Sequence, residues 1–406
     1  MMENQLDHPV AQRLRSPGPK RILSLDGGGI RGAITLSYLV KLEAHLRQRH
    51  GNPNLLLRDY FDLIGGTSTG SIIAASLAIG MEATEILTEY GKMGDHIFEH
   101  PAKWWQIPKW LRQNLFYRNA PAAIEASLQK FFSDKTSGRL YTLGDSAITT
   151  GLCVVTKRVD TFSVWPMHNN PSGKYYGSNN ELPLWRIVRA SAAAPTFFPP
   201  TIFAFDDSGD KGAFVDGGVS MFNNPAMLLY LMATLKGFHI NWPSGDDQLL
   251  IASFGTGTYR IRYTAAEVQK LGKKSAIFWG GVVPDMFMRD ASDYNEMILQ
   301  SLSESPTARK IDSEVGDLNG DLLSASPKVH YVRYNPTVTD QDIALNAQLT
   351  HQDTKRYPRV KTIPDMMQMD RGDHVHHLTE IGRRAAEEQL SDEAFEAHFP
   401  RGFDLR

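Results

Sequence analysis

The sequence predicts an α/β fold built on a mainly parallel sheet, and two neighbouring segments near its start carry that prediction. The first, Arg21–Leu25, is a short β-rich run that ends in glycines and is followed by apolar residues at roughly helical spacing over 34–46. The second has a strand candidate at Tyr60–Ile64, a glycine turn at Gly65–Gly70 and an apolar helix over Ser71–Ile79. Two strand–turn–helix units in succession are typical of parallel sheets with helical crossovers.

The same alternation continues to about residue 257, after which the chain becomes more polar. Further strands are predicted at Gly151–Thr156, Gly212–Val215 and Gln248–Phe254, and a helix over Trp185–Ala194. Beyond them, helices are predicted at Ala265–Leu271, Tyr294–Leu302 and Leu378–Leu390, and a strand at Val329–Tyr334. We therefore predict a flexible arm over 1–19, a core over 20–258 and an extension over 259–406 that packs on the core.

Composition excludes several classes of protein. The 406 residues carry 43 Lys and Arg against 45 Asp and Glu, and this balance gives no electrostatic case for binding a DNA or RNA polymer. The single cysteine, Cys153, cannot form an internal disulfide or a thiolate zinc site, and we expect it in the core. Because the arm is polar and holds no apolar stretch typical of a secretory signal, we expect a cytoplasmic location.

The first glycine turn, Gly27–Gly32 (GGGIRG), matches the G-x-G-x-x-G pattern of a dinucleotide-binding turn. Such a unit also needs an acidic residue about 20 residues further on, at the end of the next strand, to bind the ribose. The corresponding region, His45–Asn54, reads instead as a helix end and a loop. A cofactor turn therefore stays a minor alternative.

The second glycine turn, Gly66–Gly70 (GTSTG), is a G-x-S-x-G between a strand and a helix, which is the context of a nucleophile elbow. Side chains in place of Gly66 or Gly70 would crowd the sharp turn that holds the hydroxyl of Ser68 clear of the backbone. The helix that follows also directs its N-terminal amides at this point. The alternatives are a chance match or a simple phosphate-binding turn.

A serine nucleophile needs donors for the developing oxyanion and a base for its proton. The triple glycine of the first turn can supply backbone N–H groups, and Arg31 can add a cation or clamp the loop, unless it is an exposed residue at a helix start. As the base, Asp216 follows a strand-like apolar run and opens a glycine turn, although it could be an ordinary turn aspartate. Three histidines compete with it in a polar stretch, His374, His376 and His377.

Five segments carry a resemblance to a known family. They are DGGGIRG (Asp26–Gly32), GTSTG (Gly66–Gly70), ASAAAPTFFPP (Ala190–Pro200), DGGVSMFNNP (Asp216–Pro225) and SFGTG (Ser253–Gly257). In order and in wording they resemble the patatin-like phospholipases across roughly 20–257. Five blocks in register are far more specific than any one of them alone.

The resemblance implies a three-layer hydrolase fold with a mainly parallel central sheet, a catalytic core at 20–258 and a site without histidine. In that family a serine and an aspartate form the catalytic dyad, which implies Ser68 as the nucleophile and Asp216 as the base. The implied oxyanion loop consists of four residues, Gly27, Gly28, Gly29 and Arg31. No metal and no organic cofactor is required by such a mechanism.

The size, the polar arm and the extension are also similar to those of phospholipase effectors in bacterial cyclic-oligonucleotide antiphage signalling (CBASS, of the CapV type). This second resemblance implies activation by a cyclic dinucleotide such as cyclic GMP-AMP. Lys273, Lys274 and Arg289 are candidates to meet its phosphates, and exposed solvated charges are the alternative. The sequence is compatible with a homo-oligomer.

Access to lipid is predicted for the segment His96–Asn119, where aromatic residues alternate with cations. Trp104, Trp105 and Trp110 lie among lysines and arginines, a composition that membrane interfaces favour. Core packing of these tryptophans is the alternative.

Taken with the dyad, these features predict an enzyme that hydrolyses acyl esters of membrane glycerophospholipids, peripheral to the inner face of the membrane when active. A constitutive general lipid acyl hydrolase or esterase and a non-catalytic nucleotide-binding sensor are the alternatives.

Overall fold

The structure, a computed structural model, describes residues 8–97, 121–195, 197–205, 209–260, 264–354 and 356–405. Within these residues, eight strands form one sheet in the order β5-β6-β3-β2-β1-β7-β8, with β4 beside β3. The strands are β1 Lys20–Leu25, β2 Leu63–Thr67, β3 Gly151–Arg158, β4 Val164–His168, β5 Thr201–Ala204, β6 Lys211–Asp216, β7 Gly245–Phe254 and β8 Val329–Tyr334. The run β3-β2-β1-β7-β8 is parallel, while β4, β5 and β6 pair antiparallel.

Helices connect the strands and cover the sheet. They are α1 Pro9–Arg15, α2 Gly32–His50, α3 Leu57–Tyr60, α4 Thr69–Ala78, α5 Ala83–Ile97, α6 Pro121–Phe131, α7 Tyr176–Asn179, α8 Leu184–Ser191, α9 Ala226–Thr234, α10 Ala265–Leu271, α11 Ala276–Ser301, α12 Asp340–Gln352, α13 Ile363–Met366, α14 Val375–Gln389 and α15 Asp392–His398. Among the described residues, none of these helices combines the length and the apolar character that crossing a bilayer requires.

The first two strands, β1 and β2, lie at the centre of the sheet and are buried. All six residues of β1 are buried, because β2 and β7 pair with it on both sides and helices cover it. In β2, successive residues point to opposite faces of the sheet. Gly65 lies against Leu229 of α9, and Gly66 lies against the start of α4 at Gly70. Helices therefore cover both faces, which confirms the predicted α/β fold with a mainly parallel central sheet.

The second strand begins three residues later than predicted. We expected Tyr60–Ile64 as the strand and Gly65–Gly70 as the turn, whereas β2 is Leu63–Thr67 and Tyr60 ends the short helix α3. The two glycines belong to the strand because the helices on each face approach it too closely for a side chain. A Cβ at Gly65 would lie 2.4 Å from Leu229 Cδ2.

Part of the predicted flexible arm is helical and packed, which corrects the prediction for that part. Proline at the first position of α1 is compatible with a helix start, since its missing N–H would have no partner there. Val10, Ala11 and Leu14 are buried, and the indole N–H of Trp242 donates to the carbonyl of Leu14 at 2.7 Å. Burial of this apolar face holds the helix on the core.

The region after residue 258 contributes to the sheet itself. Strand β8 pairs with β7, and the rings of Phe254 and Tyr334 stack with centroids 5.1 Å apart across this pair. Helix α14 packs on α2, where Gly382 allows close approach because a Cβ there would lie 2.8 Å from Ile34 Cα. The division at residue 258 stays a prediction, but the extension completes the core sheet at β8.

Candidate active site

Ser68 occupies a strained turn between β2 and α4. Its backbone has φ 53° and ψ −123°. Residues other than glycine rarely adopt this conformation, and those that do are concentrated at functional sites. A Cβ at Gly66 would lie 2.1 Å from the carbonyl oxygen of Gly70, and one at Gly70 would lie 2.2 Å from that of Leu25. The turn therefore requires glycine at both predicted elbow positions.

The Ser68 hydroxyl and the Asp216 carboxylate meet where their strands end. Asp216 is the last residue of β6 and is paired with Thr156 near the end of β3, which brings it to the edge of the sheet where β2 ends. Ser68 Oγ donates to Asp216 Oδ2 at 2.6 Å, and the N–H of Gly218 donates to Asp216 Oδ1 at 2.7 Å. The two side chains thus have the separation that proton transfer requires.

The environment of Asp216 raises the pKa of its carboxyl group above the value in water. The side chain is buried, and burial raises the pKa of the Asp216 carboxyl to about 6, although hydrogen bonds from Ser68 and Gly218 lower it. A carboxyl with that pKa is largely ionised at neutral pH and is still basic enough to accept a proton from an attacking hydroxyl. The physical cause is desolvation.

A second serine, Ser191, holds the elbow by hydrogen bonds. The amide of Ser68 donates to Ser191 Oγ at 2.9 Å, and Ser191 Oγ donates to the carbonyl of Val155 at 2.6 Å. Ser191 is fully buried at the end of α8, in the segment that begins at Ala190. No role for this residue is predicted from the sequence, although it stands in one of the five segments that carry the family resemblance.

The first glycine loop lies directly against the elbow. A Cβ at Gly27 would lie 3.1 Å from Ser68 Cβ, and one at Gly32 would lie 2.6 Å from Thr69 Oγ1. Among the described residues, the amides of Gly28 and Gly29 have no hydrogen-bond acceptor. Two N–H groups beside a nucleophile are what an acyl-transfer site uses to bind an oxyanion.

Gly27 differs from its neighbours, which corrects part of the prediction. Its amide donates to the carbonyl of Asn223 at 3.1 Å, and its own carbonyl accepts from Thr256 Oγ1 at 3.1 Å. Because that N–H is already bonded within the protein, Gly27 does not belong to the free donors. Its absent side chain instead makes room for Asn223 Oδ1, which would lie 2.4 Å from a Cβ there.

Arg31 contacts the loop itself. Its Nε donates to the carbonyl of Gly28 at 3.1 Å. Of the two roles considered for this residue, the clamp is the one that the contact supports.

Comparison with known proteins agrees with this geometry. The family model described as "Patatin-like phospholipase" matches residues 23–230, about half of the chain. The chain belongs to the patatin-like phospholipase family. It is 28% identical over 307 residues to Patatin group D-3 from Solanum tuberosum, covering 71% of this chain and 74% of that protein. It is 30% identical over 283 residues to Patatin-1-Kuras 2 from the same plant, covering 65% and 70%.

Among solved structures, the chain is similar to VipD from Legionella pneumophila, with a TM-score of 0.34 and 14% sequence identity over 92% of this chain and 67% of that one. At that TM-score the likeness supports neither fold nor function. Membership of the patatin-like phospholipases supports lipid acyl hydrolase activity.

Beyond the matched region, a buried ion pair supports the patatin-like glycine loop. Arg333 of β8 binds both carboxylate oxygens of Asp26, at 2.8 and 2.6 Å, and also donates to Ser253 Oγ at 2.8 Å. Glu296 of α11 lies 3.8 Å from Arg333 Nε, and Arg309 binds Glu296 in turn. Asp26 directly precedes the glycines, so this network fixes where the loop begins.

The C-terminal region also contacts the other end of the loop. The amide of Ile30 donates to the carbonyl of Met369 at 3.0 Å, and Gly29 has a φ of +58° beneath that carbonyl. A Cβ at Gly29 would lie 2.4 Å from Met369 O. Tyr90 Oη donates to the carbonyl of Gly29. None of these partners was predicted from the sequence.

Two of the three histidines considered as the base have contacts elsewhere in the fold. His374 and His377 are fully buried, with Nδ1 atoms facing the Met366 carbonyl and the Asn346 side chain. Burial lowers the pKa of His377 to about 4. In the described part of the chain, no group of three or more His, Cys, Asp or Glu residues could hold a metal ion.

The predicted lipid-interface residues Trp104, Trp105 and Trp110 lie outside the described residues. Cys153 is a free thiol buried in β3, and burial raises its pKa to about 12, which leaves it unreactive.

Proposed function

We propose that this chain hydrolyses the acyl ester bonds of glycerophospholipids with Ser68 as the nucleophile and Asp216 as the base. The observation that carries the proposal is the 2.6 Å hydrogen bond from Ser68 Oγ to Asp216 Oδ2 at a strained elbow. The adjacent glycine loop contains two amides, of Gly28 and Gly29, that have no acceptor among the described residues. Together these supply a nucleophile, a base and oxyanion donors, the parts that acyl transfer needs.

The reaction has two halves. Asp216 accepts the proton as Ser68 Oγ attacks the ester carbonyl, and the amides of Gly28 and Gly29 stabilise the negative charge on the carbonyl oxygen. The tetrahedral intermediate expels the lysophospholipid alkoxide, which takes the proton from Asp216. A water molecule then attacks the acyl-enzyme and gives a proton to Asp216. The fatty acid leaves as Ser68 Oγ takes this proton back from Asp216.

The test follows fatty-acid release from phospholipid vesicles by the wild type and by Ser68→Ala. We expect release by the wild type and none by the variant. Turnover of soluble esters without release from any phospholipid would favour a general esterase. No turnover of either substrate, together with binding of a nucleotide, would favour the sensor and refute the proposal.

We also propose that a cyclic dinucleotide activates the enzyme in an antiphage role, on the basis of the second resemblance. The enzyme would then be cytoplasmic and would bind the membrane only when active. Two of the candidate cations already have contacts. Arg289 Nη1 donates to the carbonyl of Tyr259 at 3.3 Å, and Lys274 Nζ lies 4.7 Å from the centre of the Phe278 ring. The test is fatty-acid release with and without cyclic GMP-AMP and other cyclic di- and trinucleotides, and full activity without any of them would remove this assignment.

A further inference from the structure

Most of helix α11 extends past the edge of the sheet at which Ser68 and Asp216 lie. At its C-terminal end, Lys328 N–H donates to the carbonyl of Leu302 at 2.8 Å, which places this end beside the start of β8. Five residues before Ser301, Glu296 is already level with Arg333, near the carboxyl end of β8. The 20 residues of α11 before Glu296 therefore form about 30 Å of helix that continues beyond the strands.

This projecting part carries an exposed apolar face. Trp279, Val283, Met286 and Phe287 are between 37% and 69% exposed. Their spacing of four, three and one residues places them within about 100° of one another around the helix, so they form a single stripe. We call these four residues the α11 face. Contiguous exposed apolar surface of this kind marks an interaction site.

Helix α11 also contacts the segment that follows Asp216. Val219 and Met221 follow Asp216 by three and five residues and are 43% and 49% exposed. The side-chain amide of Asn295, further along α11, donates to the carbonyl of Met221. The helix also packs against the turn Gly217–Val219. Helix α11 therefore carries the α11 face and, further along, a contact to the segment that holds Val219 and Met221.

The charge around the N-terminal end of α11 indicates what that surface is. Residues 264–279 contain Lys270, Lys273 and Lys274 and a single acid, Glu267, whereas the acids of the projecting helix, Asp285, Asp290 and Asp293, lie further along it. All three lysines are exposed. Aromatic side chains at the depth of lipid headgroups, flanked by lysines that meet anionic phosphates, are typical of proteins that bind membrane surfaces.

We propose that the α11 face, with Val219 and Met221, docks on an anionic phospholipid bilayer and so brings the site to its substrate. This proposal rests on the proposed function, which supplies the bilayer as the place where the ester is found. The apolar side chains enter the interfacial region, and Lys270, Lys273 and Lys274 contact the headgroup phosphates.

The first experiment compares two substitutions that place the same charge at positions of nearly equal exposure. Phe287→Asp alters the α11 face. Leu323→Asp is the control, because Leu323 is 67% exposed but its N–H donates to the carbonyl of Ser301, at the far end of the helix. Binding of each full-length variant is measured by sedimentation with vesicles of phosphatidylcholine and phosphatidylglycerol.

We expect Phe287→Asp to weaken vesicle binding by roughly 10- to 100-fold, since burial of one aromatic side chain is lost. Leu323→Asp should bind as the wild type does. Lys273→Glu with Lys274→Glu should weaken binding to these anionic vesicles more than to vesicles of phosphatidylcholine alone. Unchanged binding by Phe287→Asp would overturn the proposal.

Two further measurements separate membrane docking from a defect in folding and from dimerisation. In Phe287→Asp, the loss of fatty-acid release from vesicles should exceed the loss on a soluble p-nitrophenyl ester at least about tenfold, in line with its binding. Equal losses on both substrates would assign Phe287 to the fold or the site, and a wild-type dimer that Phe287→Asp dissociates would assign the face to a second copy of the chain. Vesicle binding by Ser68→Ala is independent of turnover, so docking stands or falls separately from the proposed chemistry.

Discussion

The ion pair between Asp26 and Arg333 gives the sharpest test of how the glycine loop is held. We predict that Arg333→Met lowers kcat for a soluble ester with little change in KM. The substitution keeps an unbranched side chain in β8 but removes both hydrogen bonds to Asp26, at 2.8 and 2.6 Å, and the one to Ser253. Because Gly28 and Gly29 follow Asp26 closely, a shift of this carboxylate displaces their amides.

The size of both effects follows from the burial. Asp26 and Arg333 are only 4% and 6% exposed, and removing one partner of such a pair costs about 3 to 5 kcal/mol of stability. A displacement of about 1 Å at a catalytic group costs on the order of a hundredfold in rate, so we expect kcat to fall roughly 10- to 100-fold. An effect confined to kcat identifies a contact that acts in the transition state.

A second buried pair at the other end of β1 provides the control. Arg21 Nε lies 3.0 Å from Asp62 Oδ2, and Asp62 is 1% exposed. Arg21→Met should also lower the melting temperature, although less, because Arg13 keeps Asp62 paired at 2.7 Å. It should leave kcat unchanged, since the amino end of the strand is remote from the loop.

The double variant Asp26→Asn with Arg333→Met separates stability from positioning. Removing both charges restores most of the stability, since no charge is left buried without a partner. If the pair positions the loop, kcat stays low even though the melting temperature recovers. Recovery of kcat together with stability, or an unchanged kcat in Arg333→Met, would refute the reasoning.

Three further predictions concern the site itself. Ser68→Ala, Asp216→Asn and their double variant should each abolish ester hydrolysis to the same level, because the two residues act as one unit; near wild-type turnover in Asp216→Asn would remove the dyad. Gly28→Ala should raise the activation free energy of hydrolysis by about 3 kcal/mol with little effect on KM, because the new Cβ would lie 2.2 Å from Thr256 Oγ1 and displace the proposed oxyanion donor. Gly91→Ala is the control, since a Cβ there meets open space. A raised KM at unchanged kcat would instead make the loop a substrate-binding turn. Burial raises the pKa of Asp216 from 3.8 to about 6, so the folded state binds this proton more tightly than the unfolded state, and stability is lost as the pH rises from about 4 through about 6. Accordingly kcat/KM should fall as the pH drops through about 6, and Asp216→Asn should be more stable than the wild type by up to about 3 kcal/mol above pH 6, a difference that shrinks toward pH 4; a pH-independent difference would contradict the buried carboxylate.

The elements that could be predicted from the sequence are those whose signal is local. The strands at Arg21–Leu25 and Gly151–Thr156 agree with β1 and β3 within one or two residues, since buried parallel strands are continuous apolar runs. The helix α1 could not be predicted in this way. It is seven residues long, and it is held by contacts such as Trp242 to Leu14, 228 residues apart. Local propensity does not contain such contacts.

The same distinction holds in the candidate site. The elbow around Ser68 and the turn at Asp216 could be recognised because sterics fix glycines beside the reactive residue, and glycine spacing is visible in a single sequence. That Gly27 uses its amide within the protein could not be recognised, because the acceptor is the carbonyl of Asn223, which is distant in the chain. A triple glycine shows where backbone can approach, and it does not show which of the three amides stays unpaired.

One physical argument could have found Arg333. Asp26 follows a strand whose six residues are all buried, and a carboxylate at the end of such a strand needs a cation beside it. In a parallel sheet the carboxyl ends of the strands meet at one edge, so the cation should stand near the end of another strand. The β-rich run Val329–Tyr334 ends with an arginine followed by a tyrosine, and an arginine there would face the same edge as Asp26. The matched family region ends at residue 230, about a hundred residues before this strand. We therefore predict that the position of the proposed oxyanion donors depends on a charge that lies outside the part of the chain by which the family is recognised.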